Sequence, residues 1–291
     1  MNAKILYIYA LTPVHTGTGQ SVDVIDLPIA REETTGWPYI PGSSIKGVLR
    51  DVCKDGADSK LFELAFGPET RRASEGAGCL IFGDARIVCL PVRSLMGTFA
   101  WVTSPLVIAR LKRDYVNLGL RFNADWSGSL EKSQTAVTTK TKLTHNNKVI
   151  LEDLDLEPVQ DLSSAVDALA GLLSEALFAG DRQWAQFVEE RLTVVHDDTF
   201  GFLCETATEV TARIRIEDKK KTVDKGGLWY EEAVPAESIF AAPLIAIPRN
   251  GASADELYGV IKPAFEQIVQ IGGNASVGRG LVRLYLTGGA Q

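Results

Sequence analysis

The sequence predicts an α+β protein, and three stretches carry that assignment. Residues 3–11 (AKILYIYAL) form a compact aromatic and β-branched run that reads as a buried strand. Residues 162–178 (LSSAVDALAGLLSEALF) repeat their apolar positions at helical spacing, and residues 182–191 continue as a second helix. Residues 206–216 (TATEVTARIRI) alternate, pass a charged turn at 217–227 and return as a strand at 228–234. That pattern predicts a protruding β-hairpin with a basic tip (Lys219, Lys220, Lys221) and an aromatic return arm (Trp229, Tyr230).

In chain order, the first strand runs into Thr12-Pro13-Val14-His15-Thr16-Gly17-Thr18-Gly19, a glycine-punctuated loop with one of only 3 histidines. Asp26 then stands among apolar residues, close before Pro28. In the following Trp37-Pro38-Tyr39-Ile40-Pro41-Gly42-Ser43-Ser44-Ile45-Lys46-Gly47-Val48-Leu49-Arg50, the prolines hold Tyr39 and Ile40 extended. Gly42 permits a turn, and Ser43 or Ser44 is a good N-cap for a helix through Ile45, Val48 and Leu49. Lys46 and Arg50 lie one turn apart, so the helix start reads as an anion-facing end or as an ordinary capped surface helix.

Residues 60–68 form a short helix ended by Gly67-Pro68, and 69–78 a polar loop. Residues 79–88 read as a strand and 99–112 as a helix. Between 111 and 148, Arg113, Arg121, Lys132, Lys140, Lys142 and Lys148 make a basic stretch with a Ser/Thr-rich, irregular middle. It is either a phosphate contact or a solvated insertion. His196-Asp197-Asp198 is placed in a turn. Residues 239–247 are a further strand and 255–271 a helix. The chain closes with a loop carrying Gly272, Gly273, Asn274, Gly278, Arg279 and Gly280 ahead of a last strand at 281–286. Its backbone amides could line an anion. It is not a P-loop, because the Gly-Lys-Ser/Thr ending is absent and a strand follows.

Composition narrows the function classes. Lys+Arg 30 against Asp+Glu 37 argues against a generic polyanion coat but permits a local basic track. Cys53, Cys79, Cys89 and Cys204 form no CxxC pair and have no histidine in ligand spacing, which suits reduced intracellular thiols. No signal-like start and no membrane-length apolar run are visible, so a cytoplasmic chain of one large or two smaller domains is expected.

Taken together, Thr12-Pro13-x-His15, Ile40-Pro41-Gly42-Ser43-Ser44-Ile45-Lys46-Gly47-Val48-Leu49-Arg50 and Gly272-Gly273-Asn274-x-x-x-Gly278-Arg279-Gly280 resemble the RAMP superfamily of CRISPR-associated proteins. Within it, Asp26-Leu27-Pro28-Ile29, Phe82-Gly83-Asp84-Ala85, Pro91-Val92-Arg93-Ser94-Leu95, Trp101-Val102-Thr103-Ser104-Pro105 and Gly227-Leu228-Trp229-Tyr230-Glu231-Glu232 are similar to the repeated backbone subunit of the type III-B (Cmr) effector complex. The similarity covers nearly the whole chain and is weakest between 118 and 198.

The resemblance implies a ferredoxin-like (RRM-like) palm with a helical or irregular insertion (fingers) and a β-hairpin thumb. Its parts would be palm at 1–58, insertion at 59–205, palm strand and thumb at 206–240, and closing palm at 241–291. Copies would stack along a CRISPR guide RNA into a helical filament with the other Cmr subunits, each thumb displacing one guide–target base pair. Lys46, Arg50, Ser43, Ser44, Gly278, Arg279 and Gly280, with Lys219, Lys220 and Lys221, would hold RNA backbone, a grip that suits a guide of variable sequence. The resemblance further implies cleavage of target single-stranded RNA once per copy, with a weakly held divalent metal (Mg2+ or Mn2+). Asp26 takes the family's catalytic position, as metal ligand or as the group that orients the nucleophile. His15 is a candidate acid or base, or else a residue that simply bonds the nearby loop backbone, and Glu231 is a further acidic partner. Either the ribose 2′-OH or a metal-bound water could attack. The alternatives are a structural RNA-binding backbone without chemistry of its own, and a metal-independent guide-processing ribonuclease. The last would want a His/Tyr/Lys-type site near the glycine-rich loop, and His145 and His196 are distant from it in sequence.

Overall fold

The first strand, β1 (Ala3–Ala10), is buried on both faces: Leu6, Ile8 and Ala10 enter one hydrophobic core, and Ile5, Tyr7 and Tyr9 the other. Successive side chains on a strand point to opposite faces, so a strand covered on both sides has a continuous apolar run. The protein is described from a computed structural model, which covers residues 2–19, 25–56, 58–68, 71, 76–216 and 223–287. The basic hairpin tip, with Lys219, Lys220 and Lys221, lies outside the described residues.

After β1 come β2 (Tyr39–Ile40), α1 (Gly42–Val52), α2 (Ser59–Phe66), β3 (Leu80–Phe82) and β4 (Ala85–Arg93). The strand expected at 79–88 is thus broken at Gly83-Asp84 and runs on past Pro91. Residues 99–112, expected as one helix, are β5 (Phe99–Thr103) followed by α3 (Pro105–Asn117). Ser104 Oγ accepts from Val107 N at 3.4 Å and Pro105 occupies the first helical position, two start signals that mark the boundary.

The insertion continues through β6 (Gln134–Val137), β7 (Thr144–His145), β8 (Lys148–Leu151) and β9 (Leu154–Pro158) to α4 (Ser163–Phe178) and α5 (Arg182–Arg191). Its cations are largely paired within the chain: Lys132 with Asp198, Lys140 with Glu189, Lys142 with Glu190 and Lys148 with Asp155. Part of the basic stretch, at 134–137, 144–145 and 148, belongs to the sheet, whereas 118–133 form neither helix nor strand.

β10 (Leu192–Val195) leads into α6 (Asp197–Thr206), which replaces the turn expected at His196-Asp197-Asp198. His196 Nδ1 accepts from Asp198 N at 3.0 Å and so caps that helix. The hairpin is β11 (Glu209–Ile216) with β12 (Val223–Ala233), followed by β13 (Ile239–Ala246). The helix expected to reach residue 271 is α7 (Ala254–Ile261), opened by a Ser253/Glu256 capping box. It gives way to a 3-10 turn at Lys262–Phe265 because Pro263 has no N–H for the helical ladder. β14 (Val269–Gln270) and β15 (Leu281–Leu286) close the chain.

One continuous sheet runs β14-β15-β1-β13-β4-β5-β10-β6-β9-β8-β7, with β2 and β3 pairing to β4 and β13. Its centre, β15-β1-β13-β4, is antiparallel throughout, and α1 and α7 lie in the two crossovers. Side chains of α1, α2 and α7 share the first core, whereas α4 and α5 serve the second. The β11–β12 hairpin forms a separate two-stranded sheet, and its base positions the site.

Candidate active site at the base of the hairpin

One edge of β12 pairs with β11; the other is covered by two loop segments from the start of the chain. Val14 and Val234 exchange main-chain hydrogen bonds at 2.8 and 2.9 Å. Leu27 lies parallel to Glu231, donating to Tyr230 O at 3.1 Å and accepting from Glu232 N at 3.0 Å. These pairings bring His15, Asp26 and Glu231 to one short stretch of the return arm, across more than 200 residues of sequence.

Asp26 is half-buried. Its Oδ2 accepts the main-chain N–H of Tyr230 at 2.7 Å, and among the described residues the carboxylate has no further partner. The tyrosine ring that follows this amide is 42 % exposed. The site therefore presents a carboxylate anchored by one oxygen beside an exposed aromatic.

Of the two roles open to His15, proton exchange and a bond to nearby backbone, the structure places the ring for the second. It is 7 % exposed, and Nδ1 is 2.6 Å from Glu232 O. A carbonyl only accepts, so Nδ1 carries the proton. A Cβ at Gly17 would stand 2.6 Å from Nε2, and one at Gly273 3.1 Å from Cδ2, so the ring is walled in by glycine backbone. Gly273 N also donates to His15 O at 2.8 Å. Gly272, at φ +90°, passes so close to this carbonyl that a Cβ would lie 2.3 Å from it. His15 is a strut between the first loop, the return arm and the glycine-rich loop.

Glu231 and Glu232 diverge from adjacent strand positions, and both are buried. Glu231 accepts from Asn274 Nδ2 and meets Arg213 Nε at 3.4 Å. Asn274 sits in the left-handed region at φ 63°, opening the short 3-10 turn Ala275–Val277. Glu231, expected as a further acidic partner, is committed to the glycine-rich loop and Arg213; Glu232 turns toward Arg31.

The expected phosphate contacts separate into two groups. The α1 N-cap is Pro41, without a side-chain cap, so Ser43 and Ser44 lie inside the first turn, contrary to the capping expectation. The Gly42 N–H is taken by Asp84 Oδ1 at 2.8 Å, so part of the anion role at this helix end is filled by the protein's own carboxylate. Lys46 is half-buried, has no ion pair among the described residues and lines a cavity of about 470 Å³ with Ser43, Gly67, Gly78 and Phe82. Arg50 instead donates to Gly67 O at 3.0 Å and lies over the Phe62 ring. Arg279 donates to Glu209 Oε2 at 3.0 Å and Thr211 Oγ1 at 3.3 Å, pinning the loop to β11. Its neighbours Gly278 and Gly280 supply positive φ, and a Cβ at Gly280 would lie 2.0 Å from Ile271 O.

A resident divalent metal does not fit these residues. No group of three His, Cys, Asp or Glu among the described residues could hold one. Glu231 and Glu232, the carboxylates nearest Asp26 along the return arm, are occupied by Asn274, Arg213 and Arg31. The cysteines are buried and free, and burial pushes the Cys89 and Cys204 thiols far up. No helix among the described residues is long and apolar enough to cross a membrane.

Residues 7–283 match the RAMP superfamily. The chain is 38 % identical to the CRISPR system Cmr endoribonuclease Cmr4 of Pyrococcus furiosus over 98 % of its length and 96 % of that protein. It is 23 % identical to the CRISPR system CMR subunit Cmr4 of Saccharolobus solfataricus over 97 % and 95 %. The crystal structure of oligomeric Cmr4 from Pyrococcus furiosus superposes with a TM-score of 0.77 at 30 % identity, covering 99 % of both chains. A chain of the type III-B Cmr-beta complex bound to cognate target RNA shares the fold, at a TM-score of 0.74 and 23 % identity, over 98 % of this chain and 96 % of that one.

Proposed function

Because the chain belongs to the RAMP superfamily, we propose from its site that it is a repeated, guide-RNA-binding backbone subunit of a type III-B CRISPR complex that cleaves complementary target RNA. The observation that carries this reading is the Asp26 carboxylate held by Tyr230 N–H at the base of the hairpin. In this reading β15-β1-β13-β4 with α1 and α7 is the ferredoxin-like palm, the insertion forms the fingers and β11–β12 is the thumb. Copies align along the guide with the other Cmr subunits, in the cytoplasm.

The thumb displaces a target nucleotide, which leaves its ribose free to reach an in-line geometry. Asp26, anchored through Oδ2, accepts the proton of the 2′-OH on its other oxygen. The 2′-oxygen attacks the adjacent phosphorus, the P–O5′ bond breaks and the leaving 5′-oxygen takes a proton from solvent. The products are a 2′,3′-cyclic phosphate and a 5′-OH. A fixed base of this kind contributes about 10²–10⁴-fold. His15 and Glu231 hold the loops that frame Asp26. Any Mg2+ or Mn2+ requirement is met by ions carried on the RNA phosphates.

A second reading, a guide-binding backbone without chemistry of its own, is favoured by the burial of His15 and Glu231. One experiment separates the two: target cleavage by the guide-bound complex, wild type against Asp26→Ala, with binding measured in parallel. Regularly spaced cuts lost in the mutant while binding persists support the nuclease. Unchanged cuts assign the chemistry to another subunit.

A further inference from the structure

Glu232 is the carboxylate that the reaction above leaves unused. It is 2 % exposed, yet three donors from two separate stretches of chain converge on it. Oε2 accepts from Ile29 N at 3.1 Å; Oε1 accepts from Arg31 Nη2 at 2.5 Å and from Thr208 Oγ1 at 2.8 Å. Arg31 spends its other terminal nitrogen on Gly36 O at 2.7 Å and Cys204 O at 3.1 Å. The Glu232 main chain meanwhile donates to Leu27 O at 3.0 Å.

We propose that Glu232 and Arg31 are positioning residues of the RNA-cleaving site, fixing residues 27–31 on the return arm and thereby the register in which Asp26 meets Tyr230. The inference rests on Asp26 being the reacting carboxylate.

Asp26 belongs to no regular strand; beyond it Leu27 makes a single parallel bridge to the return arm, while Ile29, Ala30 and Arg31 pair with Gly17, Thr16 and Pro38 of the neighbouring loops. Those loop pairings hold the segment to its neighbours, but among the described residues its main chain is joined to that of the return arm at Leu27 alone. The Glu232 carboxylate grips it again at Ile29 and, through Arg31, ties it to the turn at Gly36 and to α6 at Cys204. Added stability alone is a weak account of such a pair, because well-packed apolar residues often replace buried ion pairs without loss. Direction is what the pair supplies: the planar guanidinium fork meets its acceptors along fixed lines that a lysine cannot reproduce. Misplacement of a reacting group by about 1 Å costs on the order of 100-fold in rate, so the brace acts on chemistry more than on binding.

The test uses the guide-bound complex carrying Glu232→Gln, Arg31→Lys, Arg31→Ala or Asp26→Ala. Target affinity, thermal stability and single-turnover cleavage at saturating complex are measured for each. Glu232→Gln and Arg31→Lys should bind target as wild type does and cut roughly 10-fold or more slowly at saturation. Arg31→Lys should retain more activity than Arg31→Ala. Saturating rates within about twofold of wild type, or a deficit that appears only as weaker target binding, would overturn the brace. If Glu232→Gln fails to assemble, Arg31→Lys and Thr208→Val decide by the same criteria. A wild-type rate in Asp26→Ala would overturn the catalytic reading instead, whereas its full loss beside unaffected brace variants overturns the brace alone.

Discussion

The main-chain N–H of Tyr230 donates to Oδ2 of Asp26 at 2.7 Å, so the hairpin's return arm itself orients the carboxylate assigned to cleavage. An amide side chain at position 26 could keep that bond, since its carbonyl oxygen accepts as a carboxylate oxygen does.

Asp26→Asn should therefore leave folding, assembly and target binding intact while removing the proton acceptor. The expected result is a loss of about 100-fold or more in single-turnover cleavage, with the target dissociation constant unchanged. Mapping the wild-type product ends should find 2′,3′-cyclic phosphate and 5′-OH; 5′-phosphate ends would point to attack by water and discard the 2′-OH route.

Guide affinity should divide two of the cations carried over from the family motif. Lys46 has no ion pair among the described residues and borders an open cavity, so Lys46→Ala should weaken guide binding and lower its log–log salt slope by about 1. Arg279 is already bound to Glu209 and Thr211, so Arg279→Ala should leave the slope unchanged and raise hydrogen exchange in β11 instead. Equal slope changes in both variants would return Arg279 to the guide backbone.

Much of this arrangement was legible in the sequence, and the failures have physical causes. AKILYIYAL announced a buried strand, and the structure covers it on both faces, which is what so many consecutive apolar residues require. FAWVT was read as helix because a short apolar run has no decisive period, and the Ser104-Pro105 start signal was not weighed against it. Pro263 likewise ended α7 ten residues before the expected boundary. Asp26, His15 and Glu231 could be named from motifs. Their meeting could not, since it depends on Leu27 pairing beside Glu231 and Val14 beside Val234, contacts that no local pattern encodes. Nor does composition reveal that His15 is walled in by Gly17 and Gly273.

Cation binding should need RNA. The donors beside Asp26 are saturated and no three-ligand cluster exists among the described residues, so calorimetric titration of the RNA-free subunit with Mg2+ or Mn2+ should give no saturable heat. Removal of divalent ions from the target-bound complex should slow cleavage. Stoichiometric, micromolar binding to the RNA-free subunit would place a metal cage in the protein after all.

A last prediction concerns Glu237, whose carboxyl is pushed up to about 7 by burial beneath the second core. Tyr9 donates its hydroxyl to Glu237, and Trp101 Nε1 donates to the Glu237 carbonyl at 2.8 Å. Among the described residues it has no ion pair: its hydrogen-bond partners are Tyr9, Trp101 and the Ala10 backbone. The folded protein therefore holds this proton more tightly than the unfolded chain does. The stability this adds is fully present below the ordinary glutamate range near pH 4.5 and is lost as pH rises toward about 7. Glu237→Gln mimics the protonated form at every pH. Its melting temperature should match wild type near pH 4.5 and exceed it at pH 8, by roughly 2–4 °C for each kcal/mol recovered in a chain of this size. The difference between the two proteins, scanned against pH by thermal denaturation, isolates this one carboxyl from all others. A gap that stayed constant from pH 4.5 to 8, or that reversed sign, would mean that Glu237 is charged in the folded state and finds its compensation elsewhere.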